Sequence, residues 1–281
     1  MELIFESSER NDRNNNARKK LEELNYNLIT FEGYTVKSNK VSLLLDRAKL
    51  ISKKPINLPV LFEKIKEELE DSFNVKETFA NQLDIPWYFV VYREDETSVI
   101  LDMLNNGKEV KRFNTFEDLG KWTTDYREYV MKSRYEEDGL PEIDVKMRAS
   151  NIPWPGNMDK ALCFNGEVVA IIEFQNTSRV SVKKHDNNQF FKPTYNAYGK
   201  ITRKGDEFRW KALDILKQHA KLPLLVIVWS TQEDIVGLKL VDNIIYTADD
   251  KHNAGIVWND NPVFTHISKL GENINALLNL E

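Results

Sequence analysis

The sequence predicts an α/β protein, and three observations carry that expectation. Leu224 to Trp229 is an unbroken apolar run, the composition of a strand buried on both faces. Ahead of it, Asp206 to Ala220 has helical spacing, with Phe208, Ala212, Ile215, Leu216 and His219 on one face and Pro223 beyond its end. Earlier still, two apolar arms flank Asn165-Gly166, a strong short-range hairpin signal.

The remaining elements follow in chain order. Ala17, Leu21, Leu24 and Leu28 fall at helical spacing after the polar run Asn11 to Asn16. Val41 to Ile51 and Leu58 to Phe73 read as helices, the second with a solvated acidic face. Trp87 to Arg93 and Thr97 to Leu104 read as strands, and Glu109 to Phe113 as a third after the turn Asn105-Asn106-Gly107. Thr115 is an N-cap for a helix whose stripe runs through Phe116, Leu119, Trp122, Tyr126, Tyr129 and Val130 to about Arg134. Glu142 to Met147 alternates like a strand. The hairpin arms are Met158–Phe164 and Val168–Gln175, and residues 176–203 form a long polar connection. Strands are expected near Gly237–Ile245 and Gly255–Phe264, then a C-terminal helix. These readings divide the chain into residues 1–114, a helical region with a small meander, and residues 115–281, an α/β domain.

Composition narrows the function classes. A chain of 281 residues with 41% hydrophobic and 30% charged residues can bury a sizeable core. Its net charge of −5 leaves no global basic signature, so any nucleic-acid contact must come from a local patch. Cys163 is the single cysteine, which excludes a disulfide framework and a cysteine-based zinc site; it reads as a small core residue. No apolar run is long enough to span a bilayer, and the N-terminal residues lack a signal-peptide pattern, so a cytoplasmic protein without membrane contact is expected.

The hairpin carries three residues foreign to a buried strand: Asp159, Glu173 and Gln175. Alternation places Glu173 and Gln175 on one face with Ile171 and Val169. A three-residue connection Asn165-Gly166-Glu167, or a bulge after a two-residue turn, sets Asp159 directly opposite Glu173 on that face. Carboxylates at cross-strand spacing repel unless a positive charge lies between them. A divalent cation answers that need, and hard oxygen ligands suit Mg²⁺.

Asp159 with Glu173-Phe174-Gln175 fourteen residues on resembles the Asp…(Asp/Glu)-x-Lys signature of the PD-(D/E)XK nuclease superfamily, the restriction-endonuclease-like fold. That family's core runs helix, three strands, helix, strand, the order read above for residues 115–230; residues 1–114 match no known pattern. The resemblance implies a metal-dependent endodeoxyribonuclease of the kind used in restriction and phage defence or encoded by phages, acting on DNA as a homodimer. It implies Mg²⁺ or Mn²⁺ held by Asp159, Glu173 and the backbone carbonyl of Phe174, with Glu128 or Glu136 of the preceding helix as a candidate further ligand. Gln175 stands where the family carries lysine. It can orient the attacking water only by hydrogen bonding, with Lys183, Lys184 or Lys200 supplying charge, and Gln175→Lys would restore the family's cation. Two alternatives remain open: a non-catalytic nucleic-acid-binding protein that keeps the fold, and a nuclease of RNA or branched DNA.

Residues 179–211 carry nine basic side chains against three acidic ones, a net of +6 in an acidic chain. Lys183, Lys184, Lys200, Arg203 and Lys204 are the candidates for contact with a phosphate backbone, interleaved with Phe190, Phe191, Tyr195 and Tyr198. His185-Asp186-Asn187 suggests a histidine-containing nuclease motif, but no second ligand pair follows at zinc spacing. No phosphate-binding loop, dinucleotide fingerprint or nucleophile elbow is present.

Overall fold

The structure is a computed structural model that describes residues 2–6, 14–24, 26–52, 54–128, 140–189, 191–198, 200–203, 205–250 and 252–280. Expectations for Tyr129, Val130, Arg134, Glu136, Phe190 and Lys204 lie outside the described residues, and Arg203 is described by its backbone alone.

The chain starts with β1 (Glu2–Phe5), α1 (Asn16–Glu23) and β2 (Asn27–Ile29). Next come β3 (Gly33–Lys37), β4 (Lys40–Ile51), α2 (Leu58–Leu69), α3 (Asp71–Gln82), β5 (Trp87–Tyr92), β6 (Ser98–Asp102) and β7 (Lys108–Phe113). Then follow α4 (Phe116–Thr124), α5 (Glu142–Ala149), β8 (Lys160–Phe164), β9 (Glu167–Asn176), β10 (Thr194–Tyr195) and β11 (Ile201–Arg203). The last elements are α6 (Glu207–Ala220), β12 (Leu224–Trp229), β13 (Ile235–Ile245), β14 (Gly255–His266) and α7 (Leu270–Leu278). The protein is thus α/β with mixed sheets. Among the described residues no helix is long and apolar enough to cross a membrane.

Two compact units divide the chain, residues 1–12 with 29–158 and residues 13–28 with 159–281. The expected boundary at residues 114 and 115 is therefore displaced. α4 and α5 pack with the sheet that precedes them: Phe116, Leu119, Trp122, Ile143 and Met147 share one cluster with Leu43, Leu45, Val90, Tyr92 and Ile100. That sheet runs β1-β4-β5-β6-β7 with β3 also on β4, and β4 lies parallel to β5 across the α2–α3 crossover.

Three elements of this unit differ from expectation. Val41–Ile51 is strand β4, not a helix. As a central strand it buries both faces, and so dense an apolar run satisfies helical and strand periods alike. Its charges are neutralised by residues distant in sequence. Lys76 Nζ and Trp87 Nε1 each donate to Asp46 Oδ2 at 2.8 Å, and Arg47 makes a two-pronged pair with Asp144 at 2.6 and 2.9 Å. Glu142–Ala149 is helix α5, not a strand. Glu142 and Asp144 meet its N-terminal dipole, Lys146 and Arg148 its C-terminal one, and Ile143 and Met147 bury at i, i+4 spacing. The expected helix Leu58–Phe73 is two helices, broken at Glu70, where φ is +48°.

The second unit holds the sheet β14-β13-β12-β9-β8-β2. β9 and β12 are parallel and joined through α6, whereas β8–β9, β12–β13 and β13–β14 are antiparallel. α1 and α7 cover one face through Ala17, Leu21, Leu270 and Ile274 against Ile172, Leu225 and Ile227. α6 lies against β12 and β13, burying Trp210, Leu213 and Leu216. Within this unit the order is α1, β2, β8, β9, α6, β12, with residues 30–158 entering between β2 and β8. The sequence expectation had filled the first two places with α4 and α5.

Arg47 and Asp144 are both under 3% exposed, and the Arg47 guanidinium also stacks 4.6 Å from the Trp154 ring. Asp144→Ala strands a buried cation. Denaturant unfolding should show a loss of about 3–5 kcal/mol; a loss below about 1 kcal/mol would show that water reaches Arg47.

Candidate active site

The hairpin turn decides where Asp159 falls. Asn165 and Gly166 adopt φ of +52° and +83°, the two-residue turn that matches strand twist. Phe164 therefore pairs with Glu167, and Cys163 with Val168. A bulge follows: Leu162 pairs with Ala170, and the shifted register runs to Lys160 opposite Ile172. Of the two routes weighed from sequence, the bulge is the one used. It brings Asp159, just ahead of β8, opposite Glu173. Phe174 N–H donates to Asp159 Oδ2 at 3.0 Å, which fixes the aspartate against β9.

Glu173 sits on a strand flanked by β8 and β12 and is 1% exposed. The positive charge expected between the carboxylates is supplied by Arg209, in the first turn of α6. Its Nη2 donates to Glu173 Oε2 at 2.7 Å and to Asp159 Oδ1 at 3.1 Å. The pKa of Glu173 lies well above the ordinary carboxylate value. Burial is the main cause; Arg209 opposes it, while Asp159, close enough to share a hydrogen bond, and Asp206 add to it. In the sequence Arg209 is one of the nine basic residues of 179–211. Its place in the first helical turn after a glycine was the available signal.

The donor set fits a hard divalent cation: two carboxylates from facing strand positions, oxygen only, with one of them partly open to water. Among the described residues no group of three or more His, Cys, Asp or Glu surrounds it, so water would complete the shell. Glu128 is not part of the pair. Its carboxylate accepts from Ser38 N at 2.7 Å and its own N–H donates to Val36 O, both in the first unit. The Phe174 peptide meets the pair through its N–H.

Gln175 is held by a buried polar network that sequence analysis missed. Asn187 Nδ2–H donates to Gln175 Oε1, and His185 Nε2 lies 3.2 Å from the same oxygen. Lys239 Nζ donates to Asn187 Oδ1. Lysine has only donors, so it fixes the chain of amides: Asn187 must turn its NH₂ to Gln175, and Gln175 must receive it on oxygen. Burial, then the Lys239 charge, lowers the His185 pKa. A neutral ring donating from Nε2 completes the set. Gln175 is left with only its Nε2 donors to offer. Any hydrogen bond from Gln175 to a water is therefore one that it donates. Gln175→Lys would turn an ammonium toward two donors rather than restore a useful cation.

Lys239 shares a row with the pair, since Glu173 is aligned with Val226 and Val226 with Lys239. A lysine between two leucines on an apolar strand was its one sequence signal. Lys183 and Lys184 lie in an exposed 3₁₀ turn and Lys200 on an exposed turn between β10 and β11. None of the three has a contact with the carboxylate pair.

A carboxylate whose pKa rises on folding stabilises the fold below its unfolded pKa, near 4.3, and that stabilisation is lost as pH rises toward the folded value. Glu173→Gln should therefore melt above wild type at about pH 8, with the difference shrinking toward about pH 4. Lower melting temperatures at both ends would show instead that the ion pair with Arg209 outweighs burial.

Comparison with protein-family models, with curated proteins and with solved structures gives no match to this chain, so the site is interpreted from its own geometry.

Proposed function

We propose that the protein is a metal-dependent nuclease that hydrolyses DNA phosphodiester bonds at Asp159 and Glu173. One observation carries the reading: two carboxylates on facing strand positions converge on a single cationic group, the guanidinium Nη2 of Arg209. A structural ion pair has no need of a second acid beside a buried one; a site for a dication does. The order α1, β2, β8, β9, α6, β12 in the second unit supports the resemblance to the PD-(D/E)XK superfamily, with the aspartate before the second strand and the Glu-x-Gln on the third.

Asp159 and Glu173 would hold Mg²⁺ or Mn²⁺, with the Phe174 carbonyl as a third donor. The ion supplies a bound water of lowered pKa and neutralises charge on the phosphate. With Asp159 and Glu173 holding such an ion, the Arg209 guanidinium would face the scissile phosphate, where a fork of N–H donors fits two oxygens. Gln175 donates from Nε2 to a water or phosphate oxygen. Lys183, Lys184, Lys200, Arg203 and Lys204 hold the flanking backbone by charge. Cutting both strands of a duplex would call for a two-fold dimer, and a cytoplasmic restriction or phage-related setting agrees with this chemistry.

A second reading has its own observation. Arg209 already satisfies both carboxylates, and Gln175 stands where the family carries lysine, as in a fold kept for binding alone. Supercoiled plasmid and single-stranded DNA, each incubated with Mg²⁺, Mn²⁺ or EDTA, separate the two. Wild type should cut with metal, and Asp159→Asn and Glu173→Gln should each lose more than about a hundredfold in rate, the several kcal/mol a bound cation provides. Absence of cutting by wild type with either metal would leave the binding-only reading.

A further inference from the structure

We propose that the β10–β11 hairpin is a base-stacking element that directs single-stranded nucleic acid to the carboxylate pair. The proposal rests on reading that pair as a phosphodiester site, and it adds the strandedness of the substrate.

The four most exposed large apolar side chains among the described residues all fall between positions 195 and 208: Tyr198 at 88%, Tyr195 at 59%, Ile201 at 58% and Phe208 at 54%. Isolated exposed apolar residues need no explanation, but four together mark a binding surface. The hairpin is also built to hold them out. Tyr195 pairs with Ile201, and the hydroxyls of Thr194 and Thr202 meet across the strands at 2.9 Å. At the tip Asn196 Oδ1 accepts from Tyr198 N at 3.0 Å and from Lys200 N at 2.9 Å, while Asn196 N donates to Lys200 O. Tyr198 thus stands in the turn of the hairpin with its N–H held by Asn196.

Charge names the occupant. From Asn187 to Gly205 there is no acid, and Lys192, Lys200, Arg203 and Lys204 are basic. Exposed aromatic rings set among cations suit a polyanion that also presents flat rings. Position names the direction. A Cβ at Gly205 would lie 2.3 Å from Phe191 O, so the two ends of the hairpin are pressed together where α6 begins. Four residues on, Arg209 touches both carboxylates. In a duplex the base faces are already stacked on one another; only unpaired bases can lie on tyrosine. Protruding rings therefore favour single strands, whether DNA or RNA.

Fluorescence anisotropy with labelled oligo-dT, oligo-rU and a duplex of equal length tests this, with EDTA present so that binding is read without cleavage. Wild type should bind at least one single strand more tightly than the duplex. Tyr198→Ala should weaken that binding about five- to hundredfold, Tyr198→Phe should retain it, and duplex binding should not change. Comparison of the dT and rU arms assigns the sugar. Circular dichroism of Tyr198→Ala confirms the fold. Three results would overturn the proposal: no loss in Tyr198→Ala, an equal loss for duplex and single strand, or no binding to any of the three, as a hairpin that docks on protein would give. Because cleavage is not read, tyrosine-dependent binding by a protein that never cuts would keep this inference and remove only the nuclease reading.

Discussion

A carboxylate on an inner strand of a sheet loses its water, and the cost is several kcal/mol unless a counter-charge or a proton replaces it. Glu173 is in that position, and the second unit is arranged around it. The bulge in the hairpin sets Asp159 beside it rather than across the sheet. The first turn of α6 brings Arg209 back over the same face. Asp159, in turn, is fixed by the Phe174 N–H. Each of these contacts would be superfluous around an apolar side chain. A second acid next to a buried one raises the cost, which is why the pair reads as a site and not as a strut.

The same face carries a second polar arrangement, and its polarity has a single origin. Lys239 can only donate, so Asn187 and Gln175 have no freedom in how their amides point. On the proposed reading, where Gln175 stands in the place of the family's lysine, the glutamine would resemble that lysine by presenting N–H groups and no lone pair. Its charge is absent, and the nearest cation of the network, Lys239, is turned toward Asn187. If the site is catalytic as proposed, reduced electrostatic help at the attacking water would follow.

The hairpin, α6 and β12 were legible because each depends on local signals: Asn-Gly, a helical stripe, a six-residue apolar run. The facing of Asp159 and Glu173 was legible because strand alternation leaves few registers. What failed was non-local. Val41–Ile51 carries apolar residues on every side, so period does not separate helix from strand, and its charges Asp46 and Arg47 find their partners Lys76 and Asp144 only far along the chain. Glu142–Ala149 spans too few residues for alternation to outweigh i, i+4 spacing. The second unit is split in sequence, and nothing local announces that α1 belongs with a strand beginning 137 residues after it ends. Arg209 and Lys239 leave only faint sequence signals as site residues for the same reason: a cation shows its role only through the partner it meets.

If Arg209 occupies the place of a dication, the two must compete. Mn²⁺ binding measured by titration calorimetry, for wild type and for Arg209→Gln, tests this directly. A guanidinium about 4 Å from the ion repels it by about 8 kcal/mol at an effective dielectric near 20, about 4 for each charge of the dication, so Arg209→Gln should bind Mn²⁺ more than about tenfold more tightly. That binding should vanish when Glu173→Gln is added. Equal affinity in the two proteins, or binding that survives Glu173→Gln, would contradict the assignment of Asp159 and Glu173 as a metal site.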